Sequence, residues 1–263
     1  MIQLLVRFFK WDFIRMGKGI EARYSRCAPY WEPHLECTRA FIADHMQPGG
    51  RLAILGAGRL LDVDLQLLLE KFSEIHLFDA DPTVMKVWRS ESGREFRRRV
   101  VPRVVDVTGS LSDWSAGLAR AVRRAEVPAY LDSLQPRRGV WERENFDGVI
   151  SLNLASQIPI YWRDRVLAAS PNLAEGEELA LVRSMARLQS AHINAVRLQS
   201  KTWSIIITDT EYYTYTADRA EWDVEGALYG DVGSELAHDT PCMRKSGAAQ
   251  WLWHLVPQFI ESD

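Results

Sequence analysis

The chain has 263 residues, of which 47% are apolar and 25% are charged, and its formal net charge is -3. This length fits one large domain or one domain with additions, and the composition can bury a core, which excludes an intrinsically disordered chain. So small a negative charge gives no reason to expect a nucleic-acid partner. No stretch is long and apolar enough to predict a membrane span, and charges interrupt residues 1–16, so we expect no signal peptide.

The cysteines and histidines predict neither a disulfide framework nor a metal site. The three cysteines, Cys27, Cys37 and Cys242, lack metal-ligand or redox spacing, and the six histidines are scattered. Free thiols in a reducing cytosol fit this pattern, so we expect a cytoplasmic protein. A run of arginines at 94–103 is interpreted as a solvated helix end, with a phosphate-binding patch as the alternative.

Two helical patterns precede the first predicted strand. Residues 1–16 carry apolar side chains at helical spacing, which indicates an amphipathic helix packed on the main domain, or else one that binds a membrane surface or a partner. Residues 31–45 form the second pattern, which Pro48-Gly49-Gly50 ends. We therefore predict an N-terminal helical cap over residues 1–50. It carries His34, and such a cap can cover the mouth of an α/β site.

From residue 51 onward, short apolar segments alternate with helical patterns. The predicted strands are 52–55, 75–78, 100–107, 146–152 and 179–182, and the predicted helices are 60–72, one starting at Pro82, 111–127, 161–169 and 185–199. A polar stretch containing Pro128, Pro136 and Gly139 lies before the fourth strand. This alternation predicts an α/β fold with a doubly wound parallel sheet that helices cover on both faces.

The end of the chain has a different pattern. Residues 203–216 are rich in β-branched and aromatic residues, and residues 250–256 alternate in polarity like a strand. Two late strands without a normal crossover helix predict an antiparallel addition at the sheet edge. Residues 210–248 are a possible insertion or lid within a domain that covers 51–263.

Candidate ligand-binding residues follow four consecutive predicted strands. Gly56-Ala57-Gly58 follows the first strand, Asp79 and Ala80 the second, Asp106 the third and Asn153 the fourth. Ligands of doubly wound sheets bind at the carboxyl ends of the strands, so these residues should converge. The Asp79 carboxylate could accept from both ribose hydroxyls of an adenosine, and Asp106 from its adenine amino group.

The residues after the glycines favour a ligand without phosphate. Dinucleotide-binding loops have a third glycine at the position of Leu61. The sequence also lacks a P-loop signature. Asp62 and Asp64 are predicted in the first turn of the following helix, where they would repel a pyrophosphate. An adenosine that carries positive charge fits better, and S-adenosylmethionine has both a sulfonium and an ammonium group.

Residues 52–58, 77–82, 104–106 and 146–153 resemble the class I S-adenosylmethionine-dependent methyltransferases, over about residues 51–182. The resemblance implies a Rossmann-like, mostly parallel, seven-stranded sheet with an antiparallel edge strand. It also implies that the glycine loop passes the methionine part of the cofactor, that Asp79 holds the ribose and Asp106 lies by the adenine, and that Asn153 lines the reaction site. Two positions depart from the family pattern: Ile54 replaces an acid, and Leu60 replaces the third glycine.

Methyl transfer needs mainly alignment of the acceptor and exclusion of water, and no catalytic motif stands out. The candidates for contact with a small-molecule acceptor are Asn153, Ser156, Gln157, Tyr161 and His34, with His34 as the candidate base; each also has a purely structural interpretation. Two other functions stay open: a nicotinamide-dependent oxidoreductase, and a non-catalytic methyltransferase-like binding module.

Overall fold

A computed structural model describes residues 2–90, 93–209, 211–216 and 221–229, with the backbone alone for 2–10, 30, 211–216 and 221–225. The predicted strand at 250–256, most of the possible insertion at 210–248 and Cys242 lie outside the described residues.

The centre of the fold is a five-stranded sheet with the order β3-β2-β1-β4-β5. Its strands are β1 Arg51–Leu55, β2 Glu74–Asp79, β3 Val100–Val104, β4 Phe146–Leu152 and β5 Ser200–Ile207. Every neighbouring pair is parallel. The strand order reverses between β1 and β4, as in Rossmann-like sheets, and ligands of such sheets bind outside the carboxyl ends at this switch point. The predicted parallel α/β sheet is confirmed.

The helices that the structure describes are α1 Ile2–His45, α2 Leu65–Lys71, α3 Val84–Ser90, α4 Arg94–Arg99, α5 Leu111–Arg124, α6 Val127–Ser133, α7 Leu154–Ala169 and α8 Glu175–Gln199, with one 3-10 turn at Val140–Arg143. Strands β6 Glu211–Thr216 and β7 Glu221–Gly226 form a separate antiparallel pair. Within the described part of the chain the main sheet therefore has five strands, and no antiparallel edge strand joins it.

Alternating strand residues divide the core between the two faces of the sheet. Ala53 and Leu55 of β1 contribute to one buried cluster, which also takes in residues of α5 to α8. Leu52 and Ile54 contribute to the other, with residues of α2, α3 and α4. Because both faces of β1, β2 and β4 are buried, these strands have mostly apolar sequences.

The two predicted N-terminal helical patterns belong to one long element, α1, which is kinked at Cys27. The backbone there is not helical (φ -122°, ψ 17°), and Pro29 and Pro33 follow. A proline lacks an N–H and its ring crowds the carbonyl four residues earlier, which explains a break just before Pro29. The helical prediction is right in type, but the residues between the two patterns are helical as well.

The predicted strand at 179–182 is wrong, because these residues lie inside α8. The helix begins with Glu175, Glu177 and Glu178, which complement the positive end of its dipole. The Glu177 carboxylate also accepts the Ala174 N–H at 2.8 Å. Leu179 and Val182 are about half exposed, so the apolar run that suggested a buried strand does not mark one. The fifth parallel strand comes from residues 200–207 instead.

Two further differences between the predicted and the observed helices occur where the helix contains a proline. Helix α7 begins at Leu154 rather than at residue 161, although Pro159 lies inside it. That proline leaves the Ala155 carbonyl without a helical donor, and the Gln189 side-chain amide donates to it at 2.6 Å. Helix α6 lies in the stretch expected to be polar and irregular, and Pro128 stands in its first turn, where no N–H is needed.

Other boundaries shift by a few residues. Helix α2 begins at Leu65, not at residue 60, and the Asp64 side chain caps it by accepting the Leu67 N–H at 3.0 Å. Asp62 therefore lies in the loop before the helix and not in its first turn. Strand β3 ends at Val104, so Asp106 stands in the loop beyond it.

The glycine loop supplies a test of the fold. At Gly56 (φ +70°) an added Cβ would lie 2.7 Å from the Leu152 carbonyl oxygen, whereas at Gly58 (φ +47°) its nearest contact is 3.8 Å away. We expect Gly58→Ala to lower the free energy of unfolding by about 1–2 kcal/mol through backbone strain alone. Gly56→Ala should lower it by about 1–3 kcal/mol more, because a packed segment must move. Urea denaturation measures both, and equal losses would contradict the predicted clash.

Candidate functional site

The loop after β1 is held at the switch point by hydrogen bonds to β2 and α3. The Phe78 carbonyl accepts the N–H groups of Gly56 at 2.9 Å and Ala57 at 3.1 Å, and the Trp88 indole donates to the Gly58 carbonyl at 2.9 Å. Leu60 has a φ of +62°, so the position where the family pattern has glycine does require a left-handed backbone. A non-glycine residue there is strained by about 1–2 kcal/mol.

Asp79 lies at the end of β2 and connects two loops. One carboxylate oxygen accepts the Gly58 N–H at 2.8 Å, and the other accepts the Asp81 N–H at 2.8 Å. Burial raises the pKa of Asp79, against the lowering effect of these N–H groups. The Ala80 N–H is a third backbone donor to this carboxylate, so about one of its acceptor positions is left for a ligand hydroxyl. Ala80 is half-buried beside it.

Asp106 lies in the loop after β3, where one of its oxygens is used within the loop. That oxygen accepts from the N–H of Thr108 at 2.9 Å and from its hydroxyl at 2.7 Å. The other oxygen is buried and has no hydrogen-bond partner among the described residues. Burial raises the pKa of Asp106, and hydrogen bonds from Thr108 and from the N–H groups of Ser112 and Leu111 oppose this effect. The carboxylate therefore serves in part as an acceptor for the first turn of α5, and its second oxygen is the candidate acceptor for a ligand.

Asn153 follows β4 and begins α7. It has a φ of +56°, a conformation that asparagine tolerates better than most residues, and its N–H donates to the Ile207 carbonyl at 2.7 Å. Its side-chain oxygen is buried without a partner among the described residues. The Ser156 hydroxyl, one turn into α7, is shared between the Asn153 carbonyl at 3.1 Å and the Asp209 carboxylate at 3.2 Å.

Two carboxylates that the sequence did not single out as a pair, Asp62 and Asp209, lie close together beside Asn153. Burial, and after it the negative charge of Asp209, raise the pKa of Asp62 to about 6, while Arg39 and a hydrogen bond from the Asn153 side chain oppose the rise. Asp62 comes from the loop after β1, and Asp209 follows the end of β5. In the sequence, Asp209 is an acid that follows the apolar run 205–207. It was not singled out because residues 203–216 were interpreted as one strand-like segment.

Helix α1 crosses the edge formed by the carboxyl ends of the strands, which we call the carboxyl edge. Phe13 and Met16 pack against the cluster on one face of the sheet, and Ile42 belongs to the cluster on the other. Between them Gly17 lies against Asp81, so closely that an added Cβ would overlap the Asp81 carboxylate. Glu21 pairs with Arg59 of the glycine loop at 2.7 Å. Residues of α1 therefore contact the loops after both β1 and β2.

Tyr161, one of the predicted acceptor contacts, is in contact with the first half of α1. Its hydroxyl lies 3.4 Å from Asp12, which also pairs with Arg165 at 3.0 Å, and Phe13 stacks on its ring at a centroid distance of 4.7 Å. Burial raises the pKa of Tyr161, and the nearby Asp106 carboxylate contributes a smaller increase. Tyr161 therefore lies on the Asp106 side of the carboxyl edge.

Gln157 and His34 are less informative as site residues. Gln157 is half-buried on α7, where its N–H donates to the Asn153 carbonyl at 3.1 Å. His34 is 7% exposed, with its Nδ1 atom unpartnered among the described residues. Burial lowers the pKa of His34 to about 4, so the imidazole is neutral near pH 7 and is a weak base.

The opposite edge of the sheet carries the arginine cluster. A groove of about 500 Å³ is lined there by Lys71, Arg98 and Arg99, among others. Both arginines pair with Glu95, at 3.2 and 3.1 Å, and Arg99 also donates to the Leu69 carbonyl at 2.8 Å. The partners of Arg98 and Arg99 fit the interpretation of this cluster as a solvated helix end.

Other expectations concern metals, thiols and membranes. In the described ranges, no group of three or more His, Cys, Asp or Glu side chains is placed to hold a metal ion. Cys27 and Cys37 are free thiols. No helix in the described part of the chain has the length and apolar character needed to cross a membrane.

Comparison with known proteins adds no family. No protein-family model matches the chain, and no curated protein matches it. The function must therefore be argued from the geometry of the carboxyl edge.

Buried His34 supplies a pH test. A histidine whose pKa is about 4 in the folded state and 6.5 when unfolded binds more protons unfolded, so its contribution to stability is lost as the pH falls from 6.5 toward 4. Relative to His34→Gln, the wild type should lose about 2–3 kcal/mol of unfolding free energy between pH 7 and pH 4.

His192 gives a parallel case, because burial also lowers its pKa to about 4 while its Nε2 lies 2.8 Å from the Ser151 hydroxyl. Denaturant titrations at several pH values measure both effects. A constant difference between wild type and the His34 variant would show that His34 is accessible to solvent protons.

Proposed function

We propose that the protein binds S-adenosylmethionine at the carboxyl edge and transfers its methyl group to a small-molecule acceptor. The observation that carries this proposal is the convergence, at the switch point of a β3-β2-β1-β4-β5 sheet, of a left-handed glycine loop, Asp79 and Asn153. The resemblance of the same residues to class I methyltransferases supports it.

The donor set fits an adenosine ligand. Asp79 retains acceptor capacity for one ribose hydroxyl beside its three backbone N–H donors, and the second oxygen of Asp106 could accept from the adenine amino group. Asp106 lies near the Tyr161 ring, whose buried position keeps water away from that side. In this proposal the glycine loop, with Gly56, Ala57 and Gly58, borders the methionine part of the ligand.

The charge of the site favours this ligand over a dinucleotide. Asp62 and Asp209 place two carboxylates beside Asn153, close to the glycine loop. Two carboxylates repel a pyrophosphate, whereas they attract an ammonium and a sulfonium. The proposal therefore assigns to Asp62 and Asp209 the negative charge that the family pattern has at position 54.

The chain's own contribution to the reaction would be alignment and exclusion of water. S-adenosylmethionine supplies an already activated methyl group. Asn153, Ser156 and Gln157 lie at the start of α7, where an acceptor would approach, and α1 shields the edge from solvent.

The alternative is a non-catalytic binding module, and one observation favours it. Helix α1 contacts Asp81 and Arg59 directly, so the loops that would receive the ligand are already covered. A thermal-shift panel of S-adenosylmethionine, S-adenosylhomocysteine and reduced nicotinamide dinucleotide separates these functions. Stabilisation by S-adenosylmethionine and S-adenosylhomocysteine supports the proposal. Stabilisation by the dinucleotide supports an oxidoreductase, and no stabilisation by any of the three supports the binding module.

We also propose that residues 250–256 extend the main sheet beyond β5 as an antiparallel edge strand. Strand β5 ends the sheet in the described part of the chain, so one of its edges could accept a partner. The alternating polarity of residues 250–256 fits a half-buried strand.

The ribose assignment is tested with Asp79→Ala. We expect affinity for S-adenosylmethionine to fall by about 1.5–3 kcal/mol, the range for hydrogen bonds to a charged group. Stability should also fall, since two N–H groups lose their acceptor. Asp64→Ala is the matched control, because it removes a helix cap worth about 1 kcal/mol of stability without touching the proposed site. Unchanged calorimetric affinity in Asp79→Ala would reject the assignment.

The role of Asp62 is tested with Asp62→Asn and two ligands. Affinity for S-adenosylmethionine should fall about tenfold, while affinity for 5′-methylthioadenosine, which lacks the ammonium group, should stay constant. Because the pKa of Asp62 is raised to about 6, its ionised form destabilises the fold as the pH rises through 4 to 6.

Asp62→Asn should therefore raise the unfolding free energy at pH 7 by about 1–3 kcal/mol and leave it nearly unchanged at pH 4. Equal losses of affinity for both ligands would mean that Asp62 shapes the loop and does not bind the ammonium.

A further inference from the structure

We infer that the first half of α1, residues 12–26, is a hinged lid that opens as one unit about Cys27, while the second half stays fixed to the core. The contacts of the two halves differ in kind, and the break in the helix lies between them. Opening can be measured without any ligand, and only its link to ligand entry rests on the proposed function.

The second half of α1 is fixed by buried side chains. Leu35, Thr38 and Ile42 are each no more than 3% exposed, and Ile42 belongs to the core cluster on one face of the sheet. The Arg39 guanidinium also donates to the Leu61 carbonyl at 2.7 Å. Separating this half from the domain would expose core residues, so it should open only when the whole domain unfolds.

The first half is held mainly by polar contacts at the surface. Glu21 and Arg59 form one ion pair, with side chains 48% and 29% exposed, and Asp12 and Arg165 form another, 24% and 32% exposed. Its apolar contacts with the domain come from Phe13 and Met16, which are only partly buried. Ion pairs that solvent partly reaches are weak, and two partly buried apolar side chains add little, so among its described side chains this half is held less firmly than the second half.

The hinge lies where the helix is already broken. Cys27 has a non-helical backbone, and Pro29 has no N–H to donate back toward residue 25. A rotation there breaks few backbone hydrogen bonds, but it must also break the hydrogen bond from the Tyr24 hydroxyl to the Glu32 carboxylate, which joins the two halves. Gly17 is the closest approach of the lid to the loop after β2, so opening uncovers Asp81 and, beside it, Asp79.

Hydrogen–deuterium exchange on the full chain, read by mass spectrometry, tests the lid. In the wild type, peptides from residues 12–26 should exchange faster than those from 31–45, and at one common rate. Glu21→Ala or Asp12→Ala should each speed exchange across 12–26 about two- to fivefold, the effect of losing one exposed ion pair, and leave 31–45 unchanged.

Glu36→Ala is the matched control, since Glu36 is exposed on the fixed half. It should change neither segment. Wild-type exchange that rises steadily from residue 26 toward the N-terminus would indicate fraying and overturn the lid. The lid would also be overturned if Glu21→Ala and Asp12→Ala accelerated exchange equally in both halves of α1 or in neither.

A ligand-binding experiment distinguishes a failure of the lid from a failure of the proposed function. In stopped flow, Glu21→Ala should speed association of S-adenosylmethionine by the factor by which it speeds exchange. If exchange responds as a block and S-adenosylmethionine does not bind at all, the lid stands and the proposed function fails. If S-adenosylmethionine binds at an unchanged rate while exchange is uniform across α1, the lid fails and the proposed function stands.

Discussion

The carboxylate of Asp79 is the contact on which the carboxyl edge depends. By accepting one N–H from Gly58 and one from Asp81, it fixes the loop after β1 against the loop after β2. Helix α1 then rests on those two loops, at Arg59 and at Asp81. Without the carboxylate, two buried donors would lose their acceptor and the surface that α1 packs against would lose its shape. Order at this edge therefore comes from this carboxylate together with the apolar contacts of Phe13 and Met16.

The same edge concentrates acids whose environment opposes their ionisation. Burial raises the pKa of Asp62, Asp79 and Asp106, and two buried oxygens, on Asp106 and Asn153, have no partner among the described residues. Buried polar groups without a partner cost stability, and groups with a perturbed pKa concentrate at functional sites. Unpartnered buried atoms also occur elsewhere, as on His76 and Arg187, so the clustering of buried acids is what marks the carboxyl edge as the candidate site.

The sequence predicted what depends on local pattern and missed what depends on tertiary contacts. Strands β1, β2 and β4 are buried on both faces, so their apolar runs located them to within a residue or so. The run at 179–182 looked alike, but glutamates at the start of α8 and neighbouring helix formers make it helical. Pro159 is tolerated inside α7 because the Gln189 side chain, which is distant in sequence, donates to the Ala155 carbonyl that the proline leaves without a helical donor. Asp62 and Asp209 follow strands that are far apart in the chain, and no local sequence pattern indicates that they lie close together.

The two departures from the methyltransferase pattern have physical explanations in this fold. Ile54 is fully buried in the core cluster of one sheet face, so an acid there would be an unpaired charge among apolar side chains. Any negative charge for a cationic ligand must then come from the neighbouring loops, where Asp62 and Asp209 stand. Leu60 keeps the left-handed backbone that a glycine would adopt freely, and it is packed against the same cluster, so packing offsets the strain. Under the proposed function the loop would keep its shape while its charge came from Asp62 and Asp209, and this is why the Asp62 variant discriminates more sharply than any change within the glycines.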